Sequence, residues 1–265
     1  MTSTIKLSSR PTSEFWEIPV VYEDEHLLAL DKPSGLSSSP DRYDRDRPSL
    51  MKLLHAGIAE GKPWAKERAL TYLMNAHRLD FETSGVILLA KSKPVLVQLA
   101  NAFGSENLAK KYGALVQGSP PADQFESDAK LGPQPGNPAI IRVDPKRGKK
   151  ALTLCQVRER FDGWSWIECR PLTGRTHQIR VHLRSLGLPI VADALYGGKP
   201  LWLSRLKSVY RLKGDREERP LIGRLALHVE ELALTHPVTG GVVSIRAPLP
   251  KDITVGLKYL RRYAA

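Results

Sequence analysis

The chain has 265 residues, 42 % of them hydrophobic, which is enough for one large domain or two modest ones with a buried core. It has no apolar run near the roughly 18 to 20 residues of a membrane span and no apolar signal-peptide centre at its start, which excludes membrane and secreted proteins and predicts a cytoplasmic one. The formal net charge of +12 favours a polyanionic partner, first of all nucleic acid, over a basic surface that is merely solvated.

The N-terminal part begins with residues 1–17, which are polar and without clear periodicity, so we expect a flexible leader. Residues 18–22 and 27–30 are apolar runs separated by four polar residues, a pattern typical of a β-hairpin. The sequence Asp-Lys-Pro-Ser-Gly at 31–35 then predicts a turn, in which Lys32 is either solvated or functional.

Helical spacing predicts two core helices, one at 49–61 capped by Ser49 and one at 92–103 with a proline in its first turn. Between them, the polar residues 77–85 precede five apolar residues, the pattern of a loop that enters a buried strand. Asp80 would therefore be anchored beside the core. From these residues alone, a turn or cap is a commoner role for such an aspartate than catalysis.

The middle of the chain combines strand patterns with positive charge. Residues 110–118 alternate like a strand and place Tyr112 among lysines, where its ring either packs half-buried or stacks on a base. Residues 119–150 are rich in Pro, Gly and charge, which predicts a projecting hairpin or loop; its basic end, with Lys149 and Lys150, suits phosphate. Cys155 and Cys169 lack metal-ligand spacing and are predicted to be buried thiols.

The C-terminal part begins with paired strands at 151–157 and 164–170, followed by a helix for which Thr176 is the predicted N-cap. One face of that helix would carry His177, Arg180 and Arg184 toward an anionic partner. Residues 199–219 form a basic, partly helical insertion that is either an RNA contact or a solvated face, and a hairpin and a closing helix end the chain.

Four of these stretches together resemble the RluA family of pseudouridine synthases, enzymes that convert selected uridines of RNA to pseudouridine. They are residues 31–35, His-Arg-Leu-Asp at 77–80 with Thr-Ser-Gly at 83–85, Lys111 and Tyr112 with Ala114, Val116 and Gly118, and Leu-Thr-Gly-Arg-Thr-His-Gln-Ile-Arg-Val-His-Leu at 172–183. Any one match is weak, but their order and spacing make the set specific. The resemblance runs from about residue 18 to residue 250.

The resemblance implies an α+β pseudouridine synthase fold, in which a mixed, mainly antiparallel bent sheet is flanked by helices and loops and crossed by a central RNA-binding cleft. We expect a single catalytic domain at 18–265, since the first 17 residues leave no room for the S4-type RNA-binding domain of many relatives. The implied enzyme isomerises uridines of rRNA or tRNA as a monomer, without a cofactor or a metal.

The resemblance also implies the site residues. Asp80 would be the nucleophile, Tyr112 the ring that packs against the target uracil, and Arg180 the ion-pair partner that keeps Asp80 ionised. Arg78 would enter the space that the flipped base leaves. The other residues implied to contact RNA are Lys32, His77, Arg175, His177, Lys149 and Lys150. Tyr112 is also a candidate for proton removal, although an ordinary phenol, with a pKa of about 10, is a weak base.

The sequence departs from the family pattern at two places. Phe81 and Glu82 stand where relatives commonly have a basic residue and Asp, and Leu188 and Ala192 replace the usual His and Gly. The alternatives to an isomerase are a non-catalytic RNA-binding module on the same fold and a metal-dependent nuclease. The nuclease would use His77, Asp80, His177 and His182, yet these residues lack the spacing of familiar metal motifs.

Overall fold

The computed structural model describes residues 3–40, 44, 46–104, 108–207, 209–210 and 217–265. The chain divides into two compact units: the first comprises Met1–Ala109 with Val229–Ala247, and the second Lys110–His228 with Pro248–Ala265. Within the described residues, no helix combines the length and the apolar character that crossing a membrane requires. The single catalytic domain stays a prediction.

The secondary structure alternates strands with short helices. The strands are β1 (Thr4–Ser9), β2 (Glu14–Glu23), β3 (Leu27–Lys32), β4 (Met74–Asn75), β5 (Ser84–Ala90), β6 (Leu108–Gln117), β7 (Gln124–Ser127), β8 (Leu131–Gln134), β9 (Asn137–Val143), β10 (Thr153–Phe161), β11 (Trp164–Pro171), β12 (Leu227–Thr235) and β13 (Val242–Arg246). The helices are α1 (Leu50–Ala59), α2 (Pro63–Lys66), α3 (Lys93–Gly104), α4 (Gln178–Ser185), α5 (Leu203–Leu206) and α6 (Lys251–Tyr263), with a 3₁₀ turn at Ala194–Tyr196. The predicted α+β class is confirmed.

The first unit contains a sheet in which β1, β2, β3 and β5 lie side by side as antiparallel neighbours, with β4 beside β5. All seven residues of β5 are buried, as expected for the apolar run that follows the Asp80 loop. The predicted hairpin is β2 with β3, and Ser49 caps α1 through a hydrogen bond from the backbone N–H of Lys52.

The prediction of a flexible leader was wrong for most of residues 1–17. Residues 4–9 form β1, whose side chains alternate between exposed and buried, and Ile5 and Leu7 are buried. Ile5 pairs with Ile18 of β2, so the hairpin that was expected to begin at residue 18 extends one strand further toward the N-terminus. The period-two pattern is short and is set among Ser, Thr and Lys, which hides it in the sequence.

The second unit contains the antiparallel order β6, β11, β10 and β7, together with a separate two-stranded sheet of β8 and β9. The segment 119–150, predicted to be a projecting hairpin or loop, contains β7 and the hairpin of β8 and β9. The hydrophobic core of the second unit includes side chains of β6, β11, α4 and α6. The basic insertion at 199–219 contains α5, whereas residues 208 and 211–216 lie outside the described part of the chain.

Candidate active site

Asp80 lies in the loop between β4 and β5, where its side chain is half-buried and its backbone carbonyl accepts a hydrogen bond from the N–H of Thr83 at 3.1 Å. The residue on its N-terminal side, Leu79, is buried, and the residue on its C-terminal side, Phe81, is exposed. The carboxylate therefore stands where the chain passes from solvent into the core.

The backbone on both sides of Asp80 is fixed by hydrogen bonds. The hydroxyl of Ser38 donates to the carbonyl of Leu79 and accepts from the N–H of the same residue, both at 2.9 Å. The carbonyl of Phe81 accepts from the N–H of Gly35 at 2.9 Å. Because Ser38 and Leu79 are both buried, solvent does not compete for these bonds, and the loop holds the carboxylate in a defined position.

Lys32 supports this loop from the interior of the first unit. Its side chain is completely buried, and Nζ donates to the carbonyls of Pro33 at 2.8 Å, Leu36 at 2.7 Å and, more weakly, Phe81 at 3.4 Å. Backbone carbonyls thus replace the water that an ammonium group loses on burial. The geometry gives Lys32 a supporting role in the loop, and its contact with RNA stays a prediction.

His77 and Arg78 differ in their surroundings. The His77 ring stacks on Phe103 with the ring centroids 4.5 Å apart, and its Nε2 accepts the N–H of Leu88 at 3.0 Å. Since Nε2 accepts, the proton of the neutral ring lies on Nδ1. Arg78 is exposed. The geometry gives His77 a packing role, and an RNA contact by either residue stays a prediction.

Gly85, the second residue of β5, lies where a side chain does not fit. Its φ is +113°, and a Cβ at this position would lie 2.3 Å from the carbonyl oxygen of Val229 and 2.6 Å from its nitrogen. Real Cβ atoms do not approach backbone so closely, so the Thr-Ser-Gly motif supplies both a left-handed backbone and a close approach of two strands.

In the second unit, Tyr112 of β6 is half-buried and lies opposite Cys169 of β11, which in turn lies opposite Cys155 of β10. Both thiols are free and buried, as predicted, with their Sγ atoms 3.8 Å apart. The hydrogen bond with Cys155, together with burial, raises the pKa of Cys169 well above its usual range. The Cys169 thiol opposite Tyr112 is therefore uncharged at neutral pH.

Arg180 lies in α4 and is almost completely buried. Its Nε and Nη2 donate to the two carboxylate oxygens of Asp193, at 2.8 and 2.7 Å, and its guanidinium carbon lies 5.0 Å from the centre of the Tyr196 ring. The prediction of a face of α4 that turns His177, Arg180 and Arg184 together toward an anion was wrong. Arg180 points into the core, and His177 precedes the helix as its N-cap residue.

The N-terminus of α4 is built differently from the prediction. Thr176 is not the N-cap; His177 is, with a left-handed φ of +52° and no capping hydrogen bond from its side chain. Its Nδ1 lies 2.8 Å from the hydroxyl of Tyr196. The buried amide of Gln178 orders the turn before the helix, because its Oε1 accepts the N–H of Arg175 at 3.0 Å.

Three of the predicted RNA-binding residues lie on connected, exposed backbone of the second unit. Lys149 and Lys150 are exposed, and the backbone of Lys149 pairs with Leu131. Arg175 is exposed as well, and its Nε donates to the carbonyl of Lys150 at 2.9 Å. The structure therefore brings three cations together. We call Lys149, Lys150 and Arg175 the basic patch.

Ala192 has a strained backbone. It has a φ of +58°, the left-handed region in which glycine is unstrained, and it is buried. This is the position where the RluA resemblance leads one to expect glycine. The strained residue directly precedes Asp193, the partner of Arg180.

A family model described as RNA pseudouridylate synthase matches residues 26–185. The chain belongs to this family. It is 34 % identical over 252 residues to ribosomal large subunit pseudouridine synthase C of Salmonella typhi, covering 92 % of this chain and 70 % of the relative. It is 33 % identical over 265 residues to ribosomal large subunit pseudouridine synthase D of Zymomonas mobilis, covering 98 % and 78 %. The resemblance to the RluA family is confirmed.

The fold agrees with this assignment. The solved structure of human RNA pseudouridylate synthase domain containing 4 superposes with a TM-score of 0.67 at 22 % identity, covering 91 % of this chain and 92 % of that one. Human RNA pseudouridylate synthase domain containing 1 gives a TM-score of 0.63 at 24 % identity, covering 87 % and 83 %. Both comparisons show that the chain shares the fold of these two structures.

As a pseudouridine synthase, the protein is an isomerase that converts uridine to pseudouridine in RNA. This assignment does not favour the two alternatives, a non-catalytic RNA-binding module and a metal-dependent nuclease. Within the part of the chain that the structure describes, there is also no group of three His, Cys, Asp or Glu side chains that could hold a metal ion.

Three residues that organise this pseudouridine synthase were missed in the sequence. Asp193 had a signal, because it is the one acidic residue in the otherwise apolar and small run at 188–198. Ser38 and Gln178 had none, since a serine in a serine-rich loop and a glutamine on a helix look ordinary. Their importance lies in backbone groups from distant parts of the sequence: the Ser38 hydroxyl donates to the carbonyl of Leu79, and the Gln178 amide donates to the carbonyl of Leu152.

Proposed function

We propose that this pseudouridine synthase modifies large-subunit ribosomal RNA and that Asp80 is its nucleophile. The printed names of the relatives support the substrate, because both are large-subunit ribosomal enzymes and the chain matches them over most of its length. The observation that carries the catalytic role is the double anchoring of the Asp80 loop, through Ser38 to Leu79 and through Gly35 to Phe81.

The isomerisation requires a nucleophile but no net change of atoms. The N1 to C1′ bond of the target uridine breaks, the freed uracil turns, and C5 forms the new bond to C1′; C5 then loses its proton while N1 gains one. A carboxylate can hold one of the two fragments covalently during this exchange. Since Asp80 does not reach a base inside a duplex, the uridine must be flipped out of the RNA.

Tyr112 and Arg180 are proposed as its partners in the reaction. Tyr112 is half-buried and lies opposite the uncharged thiol of Cys169, which suits a ring that packs against uracil. Arg180 is held by Asp193 in a fixed orientation, which suits a guanidinium that positions a carboxylate. The ion pair between Arg180 and Asp80 stays a prediction.

The basic patch is proposed to bind phosphates of the RNA backbone. Each lysine that neutralises a phosphate releases a condensed counterion, so binding weakens as salt rises. Replacing Lys149 and Lys150 by Ala should weaken binding and lower the salt slope of log K by roughly 1.4 to 1.8. The matched control replaces the exposed lysines of α6, Lys251 and Lys258, which removes the same charge and should leave the slope near that of the wild type.

The test of the catalytic and substrate proposal is a map of pseudouridine in total RNA from cells with the wild-type gene, without it, and with Asp80→Asn. We expect one or more pseudouridines of large-subunit ribosomal RNA to disappear without the gene and to stay absent with Asp80→Asn. Asp162→Asn, a change of an exposed turn residue, is the control that should restore them. Loss confined to transfer RNA would reject the proposed substrate, and modification by Asp80→Asn would reject the nucleophile.

Action as a cytoplasmic monomer also stays a prediction. Size-exclusion chromatography of the purified enzyme, alone and with an RNA copy of the mapped site, measures the oligomeric state directly. A dimer in either sample would contradict it.

A further inference from the structure

Phe81, the residue after the proposed nucleophile, is the largest side chain of the Asp80 loop that faces solvent, with 42 % of its surface exposed. Single exposed apolar residues are common on proteins and need no explanation by themselves. Phe81 differs because of its position next to Asp80 and because of the two contacts described next.

The first contact is with Arg47, whose guanidinium carbon lies 5.1 Å from the centre of the Phe81 ring. Arg47 is itself oriented by Asp44, whose carboxylate accepts from its backbone N–H at 3.0 Å and lies 3.4 Å from its Nε. An aromatic ring and a cation thus form one small surface. Proteins that bind unpaired RNA combine such rings for the bases with cations for the backbone.

The second contact holds the backbone of Phe81. The carbonyl of Phe81 accepts from Gly35 at 2.9 Å and from the buried ammonium of Lys32 at 3.4 Å. Since these bonds already hold the backbone, a ligand that covers the ring has only the side chain left to order. An exposed apolar side chain on a rigid backbone is a preorganised surface for binding.

We infer that Phe81 is the stacking platform for an RNA base adjacent to the target uridine. This inference rests on the proposed function, in which the uridine leaves its stack. The neighbouring base then loses a stacking partner on one face, and a planar side chain beside the nucleophile replaces it. Such a platform would give the enzyme a preference among the nucleotides that flank its target.

The test compares the wild-type enzyme with Phe81→Leu, which keeps apolar bulk without a planar face, and Phe81→Tyr, which keeps the ring. The probes are a synthetic RNA stem-loop copied from the mapped site and two copies of it, each with an abasic residue on one side of the target uridine. On the complete RNA, Phe81→Leu should lower kcat/KM by about 5- to 150-fold, the range of one base stack, and Phe81→Tyr should not.

On one of the two abasic RNAs, the wild type should fall to the level of Phe81→Leu, and the substitution should then have no further effect. Phe15→Leu, a change of another exposed phenylalanine of the first unit, should match the wild type on all three RNAs. Thermal unfolding of each variant checks that it is folded. If Phe81→Leu does not fold, Phe81→Met takes its place.

Two outcomes would overturn the inference. One is a kcat/KM of Phe81→Leu equal to that of the wild type on the complete RNA. The other is the same loss on all three RNAs, which would mean that Phe81 acts through the structure of the loop. A wild-type enzyme that converts no uridine would instead reject the proposed function, and the inference with it.

Discussion

Arg180 and Asp193 form a buried ion pair with two parallel hydrogen bonds, Nε to Oδ2 at 2.8 Å and Nη2 to Oδ1 at 2.7 Å. Asp193 has no exposed surface and also accepts the backbone N–H of Tyr196 at 3.2 Å. The pair joins α4 to the loop that follows it. A predicted catalytic arginine therefore owes its orientation to a carboxylate outside the sequence motifs.

Asp193→Ala should lower the free energy of unfolding by about 3 to 5 kcal/mol, because it leaves the Arg180 guanidinium buried without this carboxylate. Urea unfolding measures the change. The control is Glu17→Ala, which removes the exposed partner of Lys6 and should cost about 0 to 1 kcal/mol. Similar losses in both variants would contradict the importance of the buried pair.

Ser38→Ala should destabilise the protein by roughly 1 to 3 kcal/mol, since the buried N–H and C=O of Leu79 both lose the hydroxyl. Because Leu79 precedes Asp80, kcat should fall with a smaller change in KM. Ser39→Ala, the same substitution at the neighbouring serine, is the control. Its hydroxyl makes a longer bond of 3.3 Å to Asn75 in a half-buried position. Equal kcat values for the two variants would argue against positioning by Ser38.

Gly85→Ala should destabilise the protein far more than Gly163→Ala. Both glycines have positive φ, +113° and +79°, but an added Cβ meets Val229 backbone at Gly85 and nothing within 4 Å at Gly163. Gly163→Ala should cost about 1 to 2 kcal/mol for the backbone alone. Gly85→Ala adds steric overlap, and we expect a further loss of at least about 2 kcal/mol. Comparable unfolding midpoints would exclude the close approach.

Asp24 provides a test by pH. Burial alone would raise its pKa, but hydrogen bonds from the Tyr22 hydroxyl and from the N–H groups of His26 and Leu27, with the nearby His236, lower it below the usual value. The hydrogen bond between the Tyr22 hydroxyl and Asp24 raises the pKa of Tyr22 to about 12. A carboxyl group whose pKa is lower in the folded state stabilises the fold above its unfolded pKa and loses this effect as the pH falls through the folded one.

Asp24→Asn should therefore be less stable than the wild type at pH 7, and the difference should shrink below about pH 4. Urea unfolding at pH 7, 5 and 3 measures it. Glu25→Gln, a change of the adjacent and exposed carboxylate, should show no such pH dependence. A difference between Asp24→Asn and the wild type that is constant from pH 7 to pH 3 would contradict the role of the charge.

The sequence predicted those elements whose signal is local. The apolar run of β5, the capped helix α1 and the hairpin of β2 and β3 each have a periodicity that can be read within ten residues. The motif that contains Asp80 was found differently, through the resemblance to the RluA family that the order and spacing of four stretches support. Strand β1 was missed because its two buried residues give too short a pattern.

What could not be predicted depends on hydrogen bonds of single side chains, which leave no periodic pattern in the sequence. A lysine is among the least frequently buried residues, and Lys32 is buried only because carbonyl oxygens converge on it from three positions. In the same way, Gln178 orders the turn before α4, because its Oε1 accepts the N–H of Arg175 and the Thr173 hydroxyl. Such arrangements appear only when the backbone is in place.

The close approach of Gly85 to Val229 has a consequence for synthesis on the ribosome. The first unit is interrupted after Ala109 and resumes at Val229, about 120 residues later. At about 5 to 20 residues per second, the nascent chain waits roughly 6 to 24 seconds before the strand that packs on Gly85 emerges. During that time the apolar strand β5 has no neighbour there, so chaperones that bind exposed apolar segments should associate with it until residue 229 and its successors have left the exit tunnel.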